Sequence, residues 1–281
     1  MTRTALIDVG GGFRAIFGAG VMDRCLDDGI SFDHCYGVSA GSANMTSFIA
    51  GQVGRNHRFY TEYAFRKEYA SPGNFVKDRN FVDLDYVYGT LSNHDGEYPV
   101  DYAAFEANPA GFTVVACEAR DGSTKYFDKS DIHYDDFDVM KASSAVPVAC
   151  EPYYIDGVPY FDGGIADPVP VQKALGEGYD RVVLILTRQR DILREQHRDV
   201  GPARVLSRHW PVAGERLLNR YRIYNDEVAL AKRYEEDGTV LILAPDDLCG
   251  LNTLSKSYEG LERMYRKGYA AAEAIAPFLA S

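Results

Sequence analysis

A serine stands between two glycines in the stretch YGVSAG, directly after a short apolar run. Gly37, Ser39 and Gly41 match the pattern G-x-S-x-G, which is typical of a nucleophilic serine on a sharp turn between a strand and a helix. The residues beside the serine must be small, because this strained turn packs closely against its neighbours. The amide after the serine and the dipole of the following helix favour negative charge there. The pattern predicts nucleophilic catalysis, although by itself it is common.

A glycine triplet at residues 10–12 lies one predicted helix before this serine. With Ala15 it fits the dinucleotide-binding loop G-x-G-x-x-G/A. The alternatives are an oxyanion loop, whose bare amides point at a carbonyl oxygen under attack, and a turn that merely needs glycine. A dinucleotide site requires an acidic residue at the end of the second strand, but here Ser39 follows that strand. The loop is therefore interpreted as an oxyanion loop, with a nicotinamide-dependent oxidoreductase as the rival.

No histidine occupies an obvious position for the base that Ser39 needs. In α/β-hydrolases the histidine follows the serine late in the chain, and the late histidines here lie in a charged stretch typical of a protein surface. A carboxylate within hydrogen-bond reach can accept the proton instead. The best candidate is Asp162, because the two glycines after it leave its side chain accessible, although other Asp-Gly pairs exist and spacing does not choose among them. The six histidines are His34, His57, His94, His133, His197 and His209, and further Asp-Gly pairs include those that begin at Asp121, Asp156 and Asp237.

Strands and helices alternate in the first part of the chain. Residues 4–9 and 32–38 are short apolar runs typical of buried strands, and each is followed by residues at helical spacing. This alternation implies a parallel sheet with helices packed on its faces. The segment 80–110 has no period and is predicted to form surface loops or a lid. Further strands are predicted at 111–119, 123–128, 181–188 and 239–245, a strand pair at 151–164, and helices at 15–29, 42–51, 137–146, 202–236 and 254–279.

The composition is that of a globular protein, with 46% hydrophobic and 25% charged residues. No linker or repeat divides the 281 residues, so we expect one domain over 1–281. The net charge of −11 argues against a nucleic-acid partner, because like charges repel. No run is long enough for a signal peptide or a spanning helix, and five scattered cysteines predict neither a zinc site nor disulfides. We expect a cytoplasmic protein with reduced thiols.

Two basic segments rich in aromatic residues lie at 55–69 and 262–269. Each is interpreted as a solvated amphipathic helix, with transient contact to a membrane surface as the alternative. Nothing in the sequence predicts the oligomeric state.

Together, the three motifs resemble those of the patatin-like phospholipase family. That family carries a glycine-rich oxyanion loop of the form G-G-G-x-R-G, the G-x-S-x-G turn, and a D-G-[AG] triplet with the base. This chain has GGGFRA at 10–15, GVSAG at 37–41 and DGG at 162–164, in the same order, and IFGAGVMD at 16–23 and ASSAVP at 142–147 are similar to bacterial members. The resemblance spans about residues 5–173. It implies a three-layer α/β/α fold around a mostly parallel sheet, which residues 181–281 complete.

The resemblance also implies a mechanism without histidine, metal or cofactor. Asp162 would take the proton of Ser39, pass it to the leaving group and then activate water. The Gly11 and Gly12 amides would bind the oxyanion, and Arg14 would orient that loop. The chain departs from the family where Ala15 replaces a glycine. The remaining motif positions are Gly10, Gly37, Gly41, Gly163 and Gly164.

The implied activity is hydrolysis of lipid carboxyl esters of the phospholipase A or esterase type. A long acyl chain needs an apolar channel beside the serine, and a catalytically silent lipid-binding protein is the alternative to an enzyme. For the two candidates on the serine's own helix, Phe48 and Ile49, a place in the core is the favoured interpretation. The other channel candidates are Phe13, Phe17, Tyr63 and Phe65.

Overall fold

The computed structural model describes residues 2–281, and within that range the strands join into one mixed sheet of eight. The strands are β1 (Thr4–Asp8), β2 (His34–Val38), β3 (Gly111–Glu118), β4 (Thr124–Asp128), β5 (Tyr153–Ile155), β6 (Val158–Asp162), β7 (Arg181–Ile185) and β8 (Val240–Leu243).

The sheet has the strand order β5-β6-β3-β2-β1-β7-β8, and β4 pairs with β3. The five strands from β3 to β8 along this order are parallel, whereas β4, β5 and β6 are antiparallel additions. The antiparallel pairs β3–β4 and β5–β6 are each joined by a tight turn that contains an Asp-Gly pair, because glycine accepts the left-handed backbone that such turns need. The predicted α/β class with a mostly parallel sheet is confirmed. The strands β7 and β8 extend the same sheet beyond β1.

Helices cover both faces of this sheet, so that the central parallel strands are buried on two sides. In β1, Leu6 packs into a core on one face, while Ala5 and Ile7 pack into a second core on the other. This alternation is the two-residue period of a strand. The helices are α1 (Ile16–Asp27), α2 (Ala40–Ile49), α3 (Arg55–Thr61), α4 (Pro72–Asp78), α5 (Tyr102–Ala107), α6 (Asp138–Ser144), α7 (Val171–Gly176), α8 (His197–Leu206), α9 (Pro211–Glu236), α10 (Tyr258–Ala271) and α11 (Ile275–Ala280). The three-layer arrangement is therefore confirmed.

The segment 80–110, predicted to form surface loops or a lid, is partly helical and partly buried. A π-helical turn at Tyr86–Thr90 and the helix α5 occupy much of this segment. Leu84, Val87 and Leu91 are buried in the main core. The apolar residues of this segment show no helical spacing, because each one is buried by neighbours distant in sequence and not along one face of a regular helix.

The segment 55–69 also differs from its prediction as a solvated helix. Arg55 is 4% exposed and donates hydrogen bonds to Ser47 and Ser92, and Tyr63 is fully buried. A single long helix over 254–279 is likewise replaced by α10 and α11, with a 3₁₀ turn between them. The helix α10 begins late because the Ser257 hydroxyl caps it by accepting the Gly260 N–H. No helix within residues 2–281 has the length and apolarity to cross a bilayer.

Candidate active site

The register of the sheet brings Ser39 and Asp162 together at one edge of β3. Val38 pairs with Val115 of β3, so Ser39 comes next to the level of Ala116. Asp162 pairs with Ala116 on the same edge of β3, because β4 occupies the opposite edge along residues 113–117. Ser39 and Asp162 are therefore neighbours along this edge, and both line the same cavity.

Ser39 lies on a strained turn between β2 and α2. Its φ of 56° and ψ of −133° place a non-glycine residue in a sparsely populated region, as at other nucleophilic serines. The turn fits only because its neighbours lack side chains. A Cβ on Gly37 would lie 2.5 Å from the Ser42 Cα, and one on Gly41 would lie 2.3 Å from the Asp8 carbonyl oxygen.

Ser143 holds this turn in place and was missed by the sequence analysis as a functional residue. The Ser39 N–H donates to the Ser143 Oγ at 2.8 Å, and the Ser143 hydroxyl donates to the Val115 carbonyl at 2.6 Å. It thereby ties the serine turn to β3, the strand beside Asp162. The motif ASSAVP, which includes Ser143, was the available sequence signal. In the structure Ser143 is a fully buried polar residue on the inner face of α6.

Asp162 is a buried carboxyl whose protonation is tuned by its surroundings. Burial raises the pKa of Asp162, and the nearby Ser39 hydroxyl and the Gly164 amide offset part of that rise. The Gly164 N–H donates to the Asp162 Oδ1 at 2.7 Å. The Ser39 contact lowers this pKa but does not have the geometry of an ordinary hydrogen bond, a common state of a catalytic pair before substrate binds. Gly163 begins the 3₁₀ turn that follows Asp162.

The glycine loop presents two unused backbone donors beside Ser39. Among the described residues, no hydrogen bond engages the N–H of Gly11 or of Gly12, and both glycines line the cavity of Ser39 and Asp162. The loop is anchored at Gly10 instead, whose N–H donates to the Asp8 Oδ1 at 2.9 Å and whose carbonyl accepts from the Thr187 hydroxyl. An anchored loop with two free amides has the form of an oxyanion hole.

Asp8 and Asn44 support the glycine loop through buried hydrogen bonds, and the sequence analysis did not predict this role for them. The Asn44 amide donates to the Asp8 Oδ2 and to the Ala15 carbonyl, both at 2.8 Å. Burial raises the pKa of Asp8 to about 6, against the effect of these hydrogen bonds. An aspartate inside the apolar run TALIDV was the available signal, because a charged residue there needs buried partners.

The last two residues of the GGGFRA motif have different roles. Ala15 has a right-handed backbone, with φ of −66°, so this position does not require glycine. Arg14 is 5% exposed and points its guanidinium into the cavity beside the loop, where its Nη1 donates to the Thr253 hydroxyl at 3.1 Å. The departure at Ala15 therefore leaves the loop geometry intact.

Gly12→Ala should lower kcat for a short ester by about 10²–10³-fold, the effect of losing one oxyanion donor. Gly12 has φ of +61°, and a Cβ there would lie 2.0 Å from the Thr253 carbonyl oxygen, so the loop must move. Steady-state kinetics measures the loss. The matched control is Gly51→Ala, which has φ of +69° and no atom within 4 Å of the new Cβ. It should lower the melting temperature through backbone strain yet keep kcat, and equal kcat in the two variants would contradict the assignment.

The histidines lie away from Ser39. His57 hydrogen-bonds to Glu262, His94 to Asp135, and His34 to Thr113. Within residues 2–281 no histidine lines either cavity that contains Ser39. Among the described side chains that line these two cavities, one carries a carboxyl group, and it is Asp162.

Two cavities meet at Ser39, and they differ in polarity. The first is apolar and is walled by side chains from α3, α6 and the segment after α4; these include Phe59, Tyr60, Leu84, Val87, Tyr88 and Met140. The second contains the glycine loop, Asp162 and several arginines. Gly12, Ser39, Val146 and Thr253 line both. The serine thus stands at the boundary between an apolar and a polar space.

Five of the six channel candidates do not line the apolar cavity, and for Phe48 and Ile49 the favoured place in the core is confirmed. Phe13 alone of that set lines the apolar cavity. Phe65 is 47% exposed, and the remaining candidates are buried in the main core, as favoured for two of them. These are Phe17, Phe48, Ile49 and Tyr63. Helical spacing identified buried residues but could not say which buried residues face an empty space.

Comparison with known proteins identifies the family of this chain. The chain belongs to the patatin-like phospholipase family, whose model matches residues 9–175, more than half of the sequence. It is therefore classed with lipid acyl hydrolases, and the resemblance seen in its motifs is confirmed. A second model, a domain of unknown function (DUF6363), matches residues 211–280.

Two individual proteins are similar to this chain. The uncharacterized protein YjjU of Escherichia coli (strain K12) is 34% identical over 192 residues, which make up 66% of this chain and 52% of that protein. The chain thus matches about half the length of this curated relative. The crystal structure of VipD from Legionella pneumophila has a TM-score of 0.48 at 14% identity, covering 98% of this chain and 66% of that one.

Proposed function

We propose that the protein is a serine acyl hydrolase that cleaves carboxyl esters of lipids through Ser39 and Asp162. The observation that carries this proposal is the meeting of a strained serine, a buried carboxyl and two unengaged loop amides in one cavity. Membership in a family of lipid hydrolases supports the substrate class. The strands and helices after residue 175 act as part of the same unit, because Thr187 and Thr253 support the glycine loop.

In the first half of the reaction the Ser39 Oγ attacks the ester carbonyl carbon. Its proton passes to the Asp162 carboxylate, and the carbonyl oxygen becomes an oxyanion that the Gly11 and Gly12 amides stabilise. The C–O bond to the alcohol then breaks. The departing oxygen takes the proton from Asp162, which leaves an acyl group on Ser39 and restores the carboxylate.

In the second half, water replaces the alcohol. Asp162 accepts a proton from the water molecule as its oxygen attacks the acyl carbon, and the oxyanion forms again in the same hole. The bond to the Ser39 Oγ breaks, and the serine recovers its proton from Asp162. The products are a carboxylic acid and the unchanged enzyme. The raised pKa of Asp162 suits its role as a base, because a buried carboxylate accepts a proton more readily than an exposed one.

The apolar cavity is the place for the acyl chain. Its walls are aromatic and aliphatic side chains, and burial of each chain methylene there gives about 0.8 kcal/mol. Phe59, Leu84 and Met140 come from different segments, so the length that fits is set by tertiary packing.

Labelling with a fluorophosphonate probe followed by peptide mapping tests the proposal directly. The label should appear on the peptide that contains Ser39, and a short p-nitrophenyl ester should give a burst of p-nitrophenol as the acyl-enzyme accumulates. A silent lipid-binding protein would give neither signal. A label on another serine, or none with a folded protein, would refute the assignment.

A further inference from the structure

Among residues 2–281, the apolar cavity beside Ser39 has one charged side chain in its wall. It is Arg55, the first residue of α3, which is 4% exposed, and the other lining side chains are apolar or neutral. Taking a charge out of water is costly unless a group of opposite charge or strong hydrogen bonds replace the lost hydration. A purely hydrocarbon acyl chain in this cavity supplies neither to Arg55.

The contacts of Arg55 within the described chain are all to neutral groups. Its Nη1 donates to the Ser47 hydroxyl at 3.0 Å, and its Nη2 donates to the Ser92 hydroxyl at 2.9 Å and to the Tyr98 carbonyl at 3.0 Å. The guanidinium carbon lies 4.4 Å from the ring centre of Phe59 and 5.6 Å from that of Tyr98. Burial lowers the pKa of Arg55 to about 10, although nearby tyrosines act in the opposite direction. The charge of Arg55 is therefore buried without a carboxylate partner.

The Arg55 guanidinium also has donors to spare. An arginine has five N–H donors, and hydrogen bonds within the described chain engage three of those of Arg55. The buried Nε is one of the two that remain without a partner there. Leaving a buried donor unpaired destabilises the protein, whereas a hydrogen bond from a guanidinium to a carboxylate is stronger than one to a neutral oxygen. An anionic acceptor in the cavity would match both the charge and the free donors.

The helix α2 sets the distance between Arg55 and the nucleophile. Ser39 directly precedes this helix, and Ala40 and Ala43 on one of its faces line the cavity. Ser47, which accepts a hydrogen bond from Arg55, continues the same face one turn later. Ser47 is eight positions after Ser39, which corresponds to about 12 Å along a helix axis. An acyl chain that starts at Ser39 and follows α2 therefore brings its far end to Arg55.

We propose that Arg55 binds a carboxylate at the far end of the acyl chain, so that the apolar cavity is a site for acyl groups with a terminal carboxylate. This inference rests on the proposed function and deepens it by naming the acyl class, the half-esters of medium-length dicarboxylic acids. The methylenes of such a chain contact the apolar walls, and its carboxylate supplies the charge and the acceptor atoms that Arg55 lacks. Arg55 is thus a specificity-determining residue, and it takes no part in the chemical steps.

A matched pair of chromogenic esters tests the carboxylate site. The mono-p-nitrophenyl ester of sebacic acid and p-nitrophenyl decanoate have acyl chains of equal length and differ in the terminal carboxylate. Wild type should prefer the sebacate ester in kcat/KM by about 10- to 100-fold, the range for a hydrogen bond to a charged group. The preference should disappear for the shorter pair, mono-p-nitrophenyl adipate and p-nitrophenyl hexanoate, because the adipate carboxylate does not reach Arg55.

Two substitutions separate recognition of the carboxylate from a purely structural role of Arg55. Arg55→Met removes the charge and should reverse the order of the two long esters, because the carboxylate then meets an apolar wall. Arg55→Lys keeps a positive charge and should retain part of the wild-type preference. The control is Arg58→Gln, since Arg58 lies on the same helix, pairs with Glu62 at the surface and lines neither cavity at Ser39. It should leave the preference unchanged.

Three results would overturn the carboxylate site while leaving the hydrolase intact. They are equal kcat/KM of wild type on the sebacate and decanoate esters, a preference of the same size at both chain lengths, and an equal loss on both long esters in Arg55→Met. The comparison of chain lengths uses wild type alone, so it decides the question when the melting temperature shows that Arg55→Met does not fold.

If wild type hydrolyses none of these esters, the proposed function fails, and binding still tests the carboxylate site. Calorimetry of wild type with decanoate and with decanol compares two chains that differ in the terminal group. Decanoate should bind about tenfold more tightly, as a hydrogen bond to a charged group gives. Binding of decanoate no tighter than that of decanol would overturn the site.

Discussion

Ser39→Ala should abolish the burst of p-nitrophenol and lower kcat for a short ester by about 10⁴–10⁶-fold, the range seen when a serine nucleophile is removed. Within residues 2–281, no other hydroxyl near the glycine loop lies on a strained turn with a carboxyl beside it. The methyl group of alanine fits the same turn, so the fold should persist. Burst kinetics and labelling with a fluorophosphonate measure the effect, and the melting temperature reports on the fold.

Ser207→Ala is the matched control for this substitution. The Ser207 hydroxyl donates to the Ala203 carbonyl within its own helix turn and lines neither cavity at Ser39. It should keep both burst and labelling. Ser144 lines the apolar cavity and shares a hydrogen bond with Tyr88. Labelling that persists in Ser39→Ala and maps to Ser144 would show that the wrong serine was assigned.

Asp162→Asn should lower kcat by about 10²–10⁴-fold, as expected for the loss of a general base. The asparagine oxygen still accepts the Gly164 N–H, so the local turn is retained, but the side chain no longer takes a proton. A pH profile gives the sharper test. Burial raises the pKa of Asp162, so wild-type activity should fall with decreasing pH as this carboxylate becomes protonated, above the usual range of an aspartate. The variant should lack that acid limb.

The controls for Asp162 are the two late histidines. His197 is exposed and lies beside Glu195, and His209 is exposed and lines neither cavity at Ser39. His197→Ala and His209→Ala should leave kcat and the acid limb unchanged. If either of them abolished activity while Asp162→Asn did not, a histidine would be the base and the proposed mechanism would be wrong.

Local spacing predicted the elements near the nucleophile because their burial follows a period. β1, β2 and α2 are short, apolar and bounded by glycine. The spacing of apolar residues and the positions of the glycines were therefore enough to predict these elements. The same approach failed for residues 80–110. There the buried side chains of Leu84, Val87 and Leu91 depend on distant contacts and not on a repeating face.

By itself, the sequence determined the class of fold, the family, and the identity of the candidate groups, since a serine turn and a glycine loop are specified by neighbouring residues. Tertiary structure alone decided the meeting of Ser39 with Asp162, because that meeting depends on how β2 and β6 each pair with β3. The same holds for Ser143, whose role arises from groups far away in the chain. Backbone conformation is a short-range property, whereas the contents of a cavity are fixed only when strands and helices from the whole chain close around it.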